Sequence, residues 1–466
     1  MKKFTAVILS LVLFFTLVSA AFASGTAYYV DSVNGSDSNS GTSPESAWQS
    51  LEKASSVTYS AGDRILLKRG ETFRTVFDTR GSGTEKAPIT VSCYGKGSLP
   101  VIINDNNYPC FIIHSVSNWV IENIEFTAPE GVGAMYIAAH TDQNVENITV
   151  RKCVFRDISP YDESTGSAAI SINTDGSAAR IKHIHFDELK FYNVSWGIHT
   201  NGINVESYGE KYKNPDESYN SDYLFEHIYI DNAKCGGIVI SAVQDCTVRN
   251  CRVLNSATAE NSPYAPLWMH HTNRTVIEYC EIAGSTNRQD GMAIDFDGWT
   301  TNSTYRYIYS HDNNRFMRNC VFDSKTKNSG NSVYNCVSVN DGKHVSHSAF
   351  LLISKRKPSL SRMFGFSFHD NIIVGGKPVI WAGTKSPDVY NITFSGKPFN
   401  NFFQRIFNFF ALIRGFNYSS VEDAELNELI ARITADLPEI YNIGDSNGGG
   451  IIPNAVYEGY TTGNRI

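Results

Sequence analysis

The sequence has no block of basic charge, few long apolar segments and little helical periodicity. Its 466 residues contain 40 Lys and Arg against 47 Asp and Glu, for a net charge of -7. A nucleic-acid partner is therefore not expected, because such partners require clustered positive charge. No segment, including the apolar run at residues 7–18, reaches the roughly 18 apolar residues that a membrane-spanning helix needs. The composition disfavours both of these classes.

The single long apolar run lies at the N-terminus and is typical of a secretory signal. Lys2 and Lys3 precede it, and Ala21, Phe22 and Ala23 follow it as a cleavage site. A stop-transfer helix is the alternative, but the run is short and the small residues follow it directly. No cysteine follows the run, which disfavours a lipoprotein anchor. We therefore predict a signal peptide over residues 1–23 and a secreted, extracellular protein.

One short apolar pattern recurs along the chain. It consists of an apolar residue, two variable residues, a small or apolar residue, one variable residue and another apolar residue. Starts such as 121 and 150, or 248 and 277, lie 29 residues apart. The pattern occurs at residues 121–126, 150–155, 225–230, 248–253, 277–282, 333–338 and 368–373. Repeats of this period are typical of a solenoid, in which each unit buries its apolar face against the next.

The repeats have the composition of β-strands. They are rich in Val, Ile, Phe and Tyr and are separated by Gly, Asn, Asp and Ser clusters. Many repeats show two strands: a short alternating run, and the recurring pattern about eight residues later. Alternation directs every second residue inward and its neighbours outward.

The nine cysteines are an odd number, and none are paired at the spacing of a zinc site. Cys153, Cys251, Cys280 and Cys336 each occupy the fourth position of the repeat. This position favours small buried residues stacked along a core. A disulfide framework is the alternative, because secreted proteins often contain one.

Several segments outside the recurring pattern are informative together. They are residues 28–37 (YYVDSVNGSD), 41–44 (GTSP), 61–70 (AGDRILLKRG), 87–91 (APITV) and 309–313 (YSHDN). With the repeats, they resemble the right-handed parallel β-helix proteins of the pectate-lyase-like superfamily. The resemblance implies an all-β, right-handed parallel β-helix, or solenoid, with an N-terminal cap and a short C-terminal helical cap. The superfamily includes lyases, glycoside hydrolases, epimerases and binding proteins, so function must be argued from the site.

The resemblance also divides the chain into segments. We expect the N-terminal cap and first rungs over residues 24–100, the parallel β-helix over 101–395 and a C-terminal cap or tail over 396–466. Leucines and isoleucines recur at helical spacing from Val421 to Leu437, before Pro438 ends the helix. The aromatic segment from Phe399 to Phe416 precedes it. That segment either covers the core or forms an exposed surface for a protein partner or a membrane.

In such a coil, outward residues at matching positions form columns on the surface. The alternating runs predict two columns. One contains Glu206, Ser241, His270 and Asp297, and the other contains Asn204, Val239, Trp268 and Asp295. A shift of one residue would reverse every side chain.

One repeat carries three aspartates, Asp290, Asp295 and Asp297, within eight residues. Paired carboxylates are what cleavage of a glycosidic bond needs, one as a proton donor and the other as nucleophile or base. Packing carboxylates together also separates their pKa values. The alternatives are a turn capped by aspartate side chains and a Ca²⁺ site with oxygen ligands.

Other side chains around the aspartates suit a sugar. Trp268 and Trp299 offer flat faces, and His270, His271 and His311 offer hydrogen bonds to hydroxyl groups. Glu206 and Arg318 complete the predicted substrate-binding set. Each has a simpler interpretation: His311 braces a turn, Trp299 belongs to the core, and one histidine of the adjacent pair is structural.

We predict a secreted glycoside hydrolase that acts on an oligosaccharide or polysaccharide and requires no cofactor. Its catalytic residues are predicted to be Asp290, Asp295 and Asp297, which together supply the two catalytic carboxylates. Some β-helix hydrolases, of the lacto-N-biosidase family and of the family that includes fucosidases and xylanases, use two aspartates. The resemblance to the first implies that Asp290 and Asp297 are acid/base and nucleophile, with Asp295 in support.

Two alternatives remain. A lyase of uronic-acid polymers would use a Lys or Arg base and possess a Ca²⁺ ion, but no rung combines clustered Lys with acidic ligands. An alginate-type epimerase would show an Asp-Pro-His motif, which is absent. The other alternative is a carbohydrate-binding or adhesion solenoid without catalysis.

Overall fold

The computed structural model of the protein describes residues 25–395 with several gaps. The gaps are residues 105, 107, 141, 160–167, 175–178, 202–218, 261–263, 322–326, 343–349, 355–361, 365, 370, 375–379, 383–388 and 391–392. The predicted signal peptide, Glu206, the aromatic segment from Phe399 to Phe416 and the C-terminal cap therefore lie outside the described residues.

Short strands form nearly all of the described secondary structure. The first are β1 (Ala27–Val30), β2 (Arg64–Lys68), β3 (Thr72–Arg74), β4 (Phe77–Asp78), β5 (Ile89–Tyr94), β6 (Val101–Ile103), β7 (Phe111–His114), β8 (Trp119–Glu122), β9 (Glu125–Ala128), β10 (Met135–Ala139) and β11 (Val145–Arg151). The next are β12 (Val154–Ile158), β13 (Ala168–Thr174), β14 (Ile181–Asp187), β15 (Lys190–Thr200), β16 (Asn220–Glu226), β17 (Tyr229–Arg249), β18 (Arg252–Leu254), β19 (Leu267–Asn273), β20 (Val276–Ala283), β21 (Met292–Phe296), β22 (Thr304–His311) and β23 (Arg315–Val321). The last are β24 (Lys327–Ser329), β25 (Ser332–Tyr334), β26 (Val337–Val339), β27 (Phe350–Ser354), β28 (Arg362–Phe364), β29 (Ser367–His369), β30 (Ile372–Val374), β31 (Ile380–Ala382), β32 (Val389–Tyr390) and β33 (Thr393–Ser395).

The described helical structure is confined to the N-terminal part of the chain. A 3₁₀ turn spans Pro44–Ser46, and helix α1 spans Leu51–Ser55. The Ser50 side chain caps α1 by accepting a hydrogen bond from the Lys53 N–H. Leu51 and Ala54 of α1 then pack into the main core. Within the described residues, no helix has the length and hydropathy to cross a membrane.

The strands of the main sheet pair in parallel along three ladders, and β24, β28 and β32 form a separate three-stranded parallel sheet. The first ladder runs β1-β2-β5-β8-β11-β14-β16-β17-β20-β22-β25-β29-β33. The second runs β3-β6-β9-β12-β15-β17-β18-β20-β22-β26-β30. The third runs β4-β7-β10-β13-β15-β17-β19-β21-β23-β27-β31. The chain returns to each ladder one rung further along, which confirms the predicted parallel β-helix.

The recurring pattern forms a corner between two ladders, and its interpretation as a single strand was wrong. In the first example, β8 ends at Glu122, β9 begins at Glu125, and Asn123 between them has φ 60°. The left-handed conformation turns the chain, and Asn tolerates it better than most residues. The third-position residues with φ between 54° and 60° are Asn123, Lys152, His227, Asn250, Tyr279 and Asn335.

The fourth position of the pattern points into the core at this corner. Cys153, Cys251, Cys280 and Cys336 are buried there as free thiols, which confirms the prediction of stacked core residues. Burial raises the pKa of Cys153 and of Cys336 to about 12. These thiols are therefore poor nucleophiles.

The buried carboxyl of Asp341 continues a row of hydrogen-bonded polar side chains on successive rungs. Asn313 Oδ1 accepts from the Ser285 N–H, and on the next rung Asp341 Oδ1 accepts from the Asn313 N–H. The hydroxyl groups of Ser310 and Ser338 also donate to Asp341. Burial raises the pKa of Asp341 to about 6, and these hydrogen bonds only partly offset it.

Replacing Asp341 by Asn is expected to stabilise the protein above pH 6 by about 1–3 kcal/mol. The folded-state pKa of Asp341 is raised, so its contribution is fully present below the unfolded pKa and is lost as pH rises through about 6. Asn carries no such cost, and Asn313 already occupies the equivalent place one rung before. Chemical denaturation between pH 4 and 8 measures the difference, and a constant difference over this range would contradict the prediction.

Candidate active site

The third ladder brings the predicted site residues onto neighbouring rungs. Trp268 of β19 pairs with Asp295 of β21, which pairs with Arg318 of β23. Val239 of β17 precedes Trp268 in the same column. This confirms the predicted order of Val239, Trp268 and Asp295 and adds Arg318 to it.

The second predicted column is confirmed in part. Ser241 pairs with His270. Asp297 follows the end of β21, and its N–H donates to the carbonyl of Met269 at 2.9 Å, which places Asp297 beside His270. On the preceding rung, Val239 pairs with His199 of β15. Asn204 and Glu206, the predicted first members of the two columns, lie outside the described residues.

Asp295 is the most enclosed of the three aspartates. Its side chain is 2% exposed. Its Oδ2 accepts from Arg318 Nη2 at 2.7 Å and from Nε at 3.0 Å, whereas its buried Oδ1 has no hydrogen-bond partner. Burial raises the pKa of Asp295 well above its usual value, and the nearby Arg318 charge opposes this only in part.

Asp290 lies in the turn that enters β21. Its Oδ1 accepts from Arg318 Nη1, and its backbone carbonyl accepts from Arg315 Nη1 at 2.7 Å. The Asn287 Oδ1 accepts a hydrogen bond from the Asp290 N–H, which fixes the turn. Burial also raises the pKa of Asp290; Arg318 acts against this rise and Asp297 adds to it.

Asp297 is half-buried, and so it is more accessible than the other two. Its Oδ1 accepts from the Gly298 N–H at 3.0 Å, and its carbonyl accepts from the Thr300 hydroxyl at 2.7 Å. Its charge contributes to the raised pKa values of both Asp290 and Asp295. The three carboxyls therefore form one electrostatic cluster.

A chain of hydrogen bonds adjoins Asp297 on β19. His271 Nδ1 lies 2.8 Å from His270 Nε2, and His270 Nδ1 lies 3.4 Å from the Ser241 hydroxyl. Burial lowers the pKa of both imidazoles, that of His271 to about 2. The pair is therefore neutral, so one ring donates and the other accepts.

The two predicted tryptophans flank this chain. Trp299 stacks near His271 with ring centroids 6.2 Å apart, and it has φ 63°. Trp268 lies 6.2 Å from His270, and its buried Nε1 has no hydrogen-bond partner. Both tryptophans are half-buried, so neither is a core residue.

His311 is not brought to this cluster. It ends β22, which belongs to the first and second ladders. Its Nδ1 lies 2.8 Å from Asp312 and its Nε2 lies 3.3 Å from Glu281. Burial alone would lower the pKa of His311, but these two carboxylates raise it overall. The geometry fits the alternative in which His311 braces a turn.

A second apolar cluster, which no sequence pattern indicates, lies outside the main core and adjoins the aspartates. Its buried members are Ala168, Trp196, Cys235, Val239 and Ala259, with Tyr264 and Trp268 packed against them. Trp196 contacts both His199 and Tyr264 through ring contacts. Because its buried members come from β13, β15, β17 and the loop after β18, only the correct register would have assembled it.

One group within the described residues has the spacing of metal ligands: Asp187, Glu226 and His227. It lies on the first ladder, away from the aspartates on the third. Glu226 is already paired with Arg249 at 2.7 Å and with His185 at 2.9 Å. These contacts favour a surface ion-pair network over a metal site.

No protein-family model matches the chain. A lacto-N-biosidase of Bifidobacterium longum is 42% identical over 91 residues, which cover 18% of this chain and 6% of that protein. An alpha-1,3-galactosidase A of Akkermansia muciniphila is 29% identical over 92 residues, which cover 18% of this chain and 15% of that protein. The chain thus matches only a small part of these curated relatives.

A solved structure extends the likeness over most of the described rungs. The crystal structure of a GH136 lacto-N-biosidase from Eubacterium ramulus superposes with a TM-score of 0.61 at 18% identity. The match covers 79% of this chain and 68% of that one. At this identity the likeness shows the fold alone, and that fold is a parallel β-helix.

Proposed function

We propose that the protein is a glycoside hydrolase that binds an oligosaccharide or polysaccharide against the third ladder. The observation that carries the proposal is the cluster of Asp290, Asp295 and Asp297 on adjoining positions with Arg315 and Arg318. The short match to a lacto-N-biosidase and the superposition on a GH136 lacto-N-biosidase support a carbohydrate-active protein.

The charges of the cluster suit this chemistry. Three ionised carboxylates carry a charge of -3, and the two guanidinium groups, which stay protonated, carry +2. A buried cluster favours neutrality because isolated charge is costly away from water. The cluster is therefore expected to retain one proton near neutral pH, in agreement with the raised pKa values of Asp290 and Asp295. One proton donor beside one carboxylate is the set that glycosidic cleavage requires.

Exposure separates the roles of the three aspartates. The Asp295 side chain, 2% exposed, is too enclosed to touch a sugar. The Asp290 side chain is 9% exposed in a turn that follows the exposed residues Arg288 and Gln289, and Asp297 is half-buried. We assign Asp290 as the acid that protonates the glycosidic oxygen as its bond to the anomeric carbon breaks. We assign Asp297 as the carboxylate that attacks that carbon or removes a proton from the attacking water. In this assignment Asp295 does not react with the substrate, which differs from the sequence-based prediction that Asp295 is catalytic.

The sugar would lie beside the aromatic rings of the same rungs. Trp268 and Trp299 offer their faces, and His270 and His271 offer hydrogen bonds to hydroxyl groups. Arg318 is enclosed by carboxylates, so direct sugar binding by Arg318 is disfavoured. Substrate binding by Glu206, a protein partner at the aromatic segment, and secretion remain predictions about residues outside those described.

A substrate screen tests the proposal. The purified mature chain is incubated with aryl-glycosides, with host-type oligosaccharides that contain lacto-N-biose or α-1,3-linked galactose, and with plant and algal polysaccharides. New reducing ends without absorbance of an unsaturated uronate establish a hydrolase. The absence of new reducing ends with every substrate would reject it in favour of a binding solenoid.

Arg315 is the feature that favours a lyase as the second candidate. Burial lowers its pKa, and a lyase needs a Lys or Arg base. Its Nη1, however, donates to the carbonyls of Gln289 and Asp290, which is a structural use of the group. A lyase predicts unsaturated-uronate absorbance in the same wells, with loss of activity on chelation of Ca²⁺.

Replacing Gly291 by Ala is expected to reduce turnover at least about tenfold, because the reacting groups tolerate little displacement. Gly291 has φ 55°, and an added Cβ would lie 2.2 Å from the carbonyl oxygen of Asn287. Relief of this clash moves the neighbouring Asp290. Kinetics at saturating substrate measure the loss of turnover, and thermal unfolding measures the effect of the clash on stability.

Gly70 provides the matched control for this substitution. It has φ 79°, but nothing lies within 4 Å of an added Cβ. Gly70→Ala should therefore cost about 1–2 kcal/mol of stability and leave turnover unchanged. Equal turnover in the two variants would argue against a catalytic Asp290.

A further inference from the structure

Arg318 is enclosed between two carboxylates rather than directed at solvent. Its Nη1 contacts Asp290, and its Nη2 and Nε contact a single oxygen of Asp295 at 2.7 and 3.0 Å. Its side chain and that of Asp290 are each 9% exposed. An arginine held in this way cannot turn toward a substrate without leaving two buried carboxylates uncompensated.

The three residues differ in how firmly the fold holds them. Asp295 and Arg318 are register partners on adjacent strands of the third ladder, so their backbones lie about 4.8 Å apart. Asp290 instead belongs to the turn before β21. The Asp295–Arg318 pair is thus the fixed part of the cluster, and the Asp290 carboxyl is oriented by contact with it.

We propose that Asp295 and Arg318 are positioning residues: Asp295 anchors Arg318, and Arg318 orients Asp290 and sets the pH range in which Asp290 and Asp297 act. This inference rests on the proposed hydrolase function and assigns Asp295 and Arg318 to neither proton transfer nor sugar binding. The guanidinium is suited to the task, because its rigid fork can donate to two carboxylates at once and it keeps its charge at any working pH.

The pH range depends on every charged group that faces the cluster. Within the described residues these groups are Asp290, Asp295, Asp297, Arg315, Arg318, His270 and His271. The two histidines are neutral, so the balance lies between the carboxyls and the two arginines. Arg318 is the group of opposite charge that acts on both Asp290 and Asp295.

Two neutralising substitutions should move the pH profile of kcat/KM in opposite directions. Arg318→Gln removes positive charge, so the remaining carboxyls hold their protons more tightly and both limbs shift to higher pH. Asp295→Asn leaves two carboxyls against two guanidinium groups, so neutrality no longer requires a retained proton. Asp290 then loses its proton more readily, and the basic limb shifts to lower pH. Each shift should be about one pH unit or more, as expected for a charge removed within 4–6 Å.

Two further variants separate charge from geometry. Arg318→Lys keeps the charge but loses the fork, so kcat should fall while both limbs stay within about half a unit of wild type. The double variant Arg318→Gln with Asp295→Asn restores the charge balance, so its basic limb should return toward that of wild type. The double variant also covers the case in which Arg318→Gln alone fails to fold.

The outcomes distinguish this inference from the hydrolase proposal. Retained turnover after Asp290→Asn and Asp297→Asn would reject the hydrolase and this inference with it. A different outcome would reject the positioning role alone. In that outcome Asp290→Asn and Asp297→Asn lose turnover, but the limbs of the pH profile of kcat/KM stay fixed, or move in the same direction, in Arg318→Gln and Asp295→Asn. Infrared difference spectra of the carboxylic-acid band across pH, recorded without substrate, follow the titration of the carboxyls directly. They test the opposite shifts in Arg318→Gln and Asp295→Asn independently of turnover.

Discussion

Replacing Asp297 by Asn is expected to lower turnover about 10³-fold or more while leaving thermal unfolding nearly unchanged. Asn has the shape of Asp, and its carbonyl oxygen can still accept the Gly298 N–H at the position of Oδ1. It cannot attack an anomeric carbon or remove a proton from water, and loss of such a group typically costs 10²- to 10⁴-fold. Initial rates on the substrate found by screening give the loss, and calorimetry gives the stability.

The direction of the small stability change is a second check. Asp297 adds to the raised pKa values of Asp290 and Asp295, so it opposes their ionisation in the folded state. Its neutral replacement should therefore leave stability equal or slightly increased at neutral pH. A large decrease would mean that Asp297 is a structural residue.

Asp312 is a suitable control for Asp297→Asn. It is exposed and follows β22, where it contacts His311. Asp312→Asn should leave turnover within about twofold of wild type, because surface substitutions usually have small effects. If Asp297→Asn also retained full activity, the paired-aspartate mechanism would be excluded.

The fold could be predicted because its signals are local. The recurring pattern and the cysteines at its fourth position report which residues point into the core, and the ladders stack them as expected. The corner itself could not be predicted, because a left-handed residue such as Asn123 or Lys152 leaves no composition signal common to all repeats. The pattern was therefore mistaken for one strand.

The site could be predicted only as far as the register was fixed. Trp268 and Asp295 are aligned correctly because each lies between two inward apolar residues of an alternating run. The same alternation occurs at residues 198–199 and 203–205, and sequence alone does not say which pairs with Val239. His199 was missed for this reason.

Arg318 shows what long-range pairing adds. It lies 23 residues after Asp295, and its enclosure by two carboxylates follows from the pairing of β21 with β23. From sequence it was one of several arginines near the aspartates, and substrate binding was a reasonable interpretation. Its partners change that interpretation, because a guanidinium that neutralises two buried carboxylates has little left to offer a sugar.

Replacing Phe155 by Ala is expected to destabilise the protein by about 3–5 kcal/mol. Its ring stacks between Phe126 at 5.1 Å and Phe191 at 4.7 Å along the core. Removing it leaves a cavity and breaks two ring contacts, and in a solenoid the loss falls on the interfaces with both neighbouring rungs. Chemical denaturation measures the change in unfolding free energy.

Val33→Ala is the control for Phe155→Ala, because Val33 is 68% exposed and its replacement should change stability by less than about 0.5 kcal/mol.

At a temperature where the Phe155→Ala variant remains folded, its kcat should equal that of wild type. Phe155 lies in β12 of the second ladder, whereas the aspartates lie on the third ladder several rungs later. A loss of kcat in fully folded protein would mean that core packing and the geometry of the aspartates are coupled across these rungs, which the nearest-neighbour energetics of a solenoid do not predict.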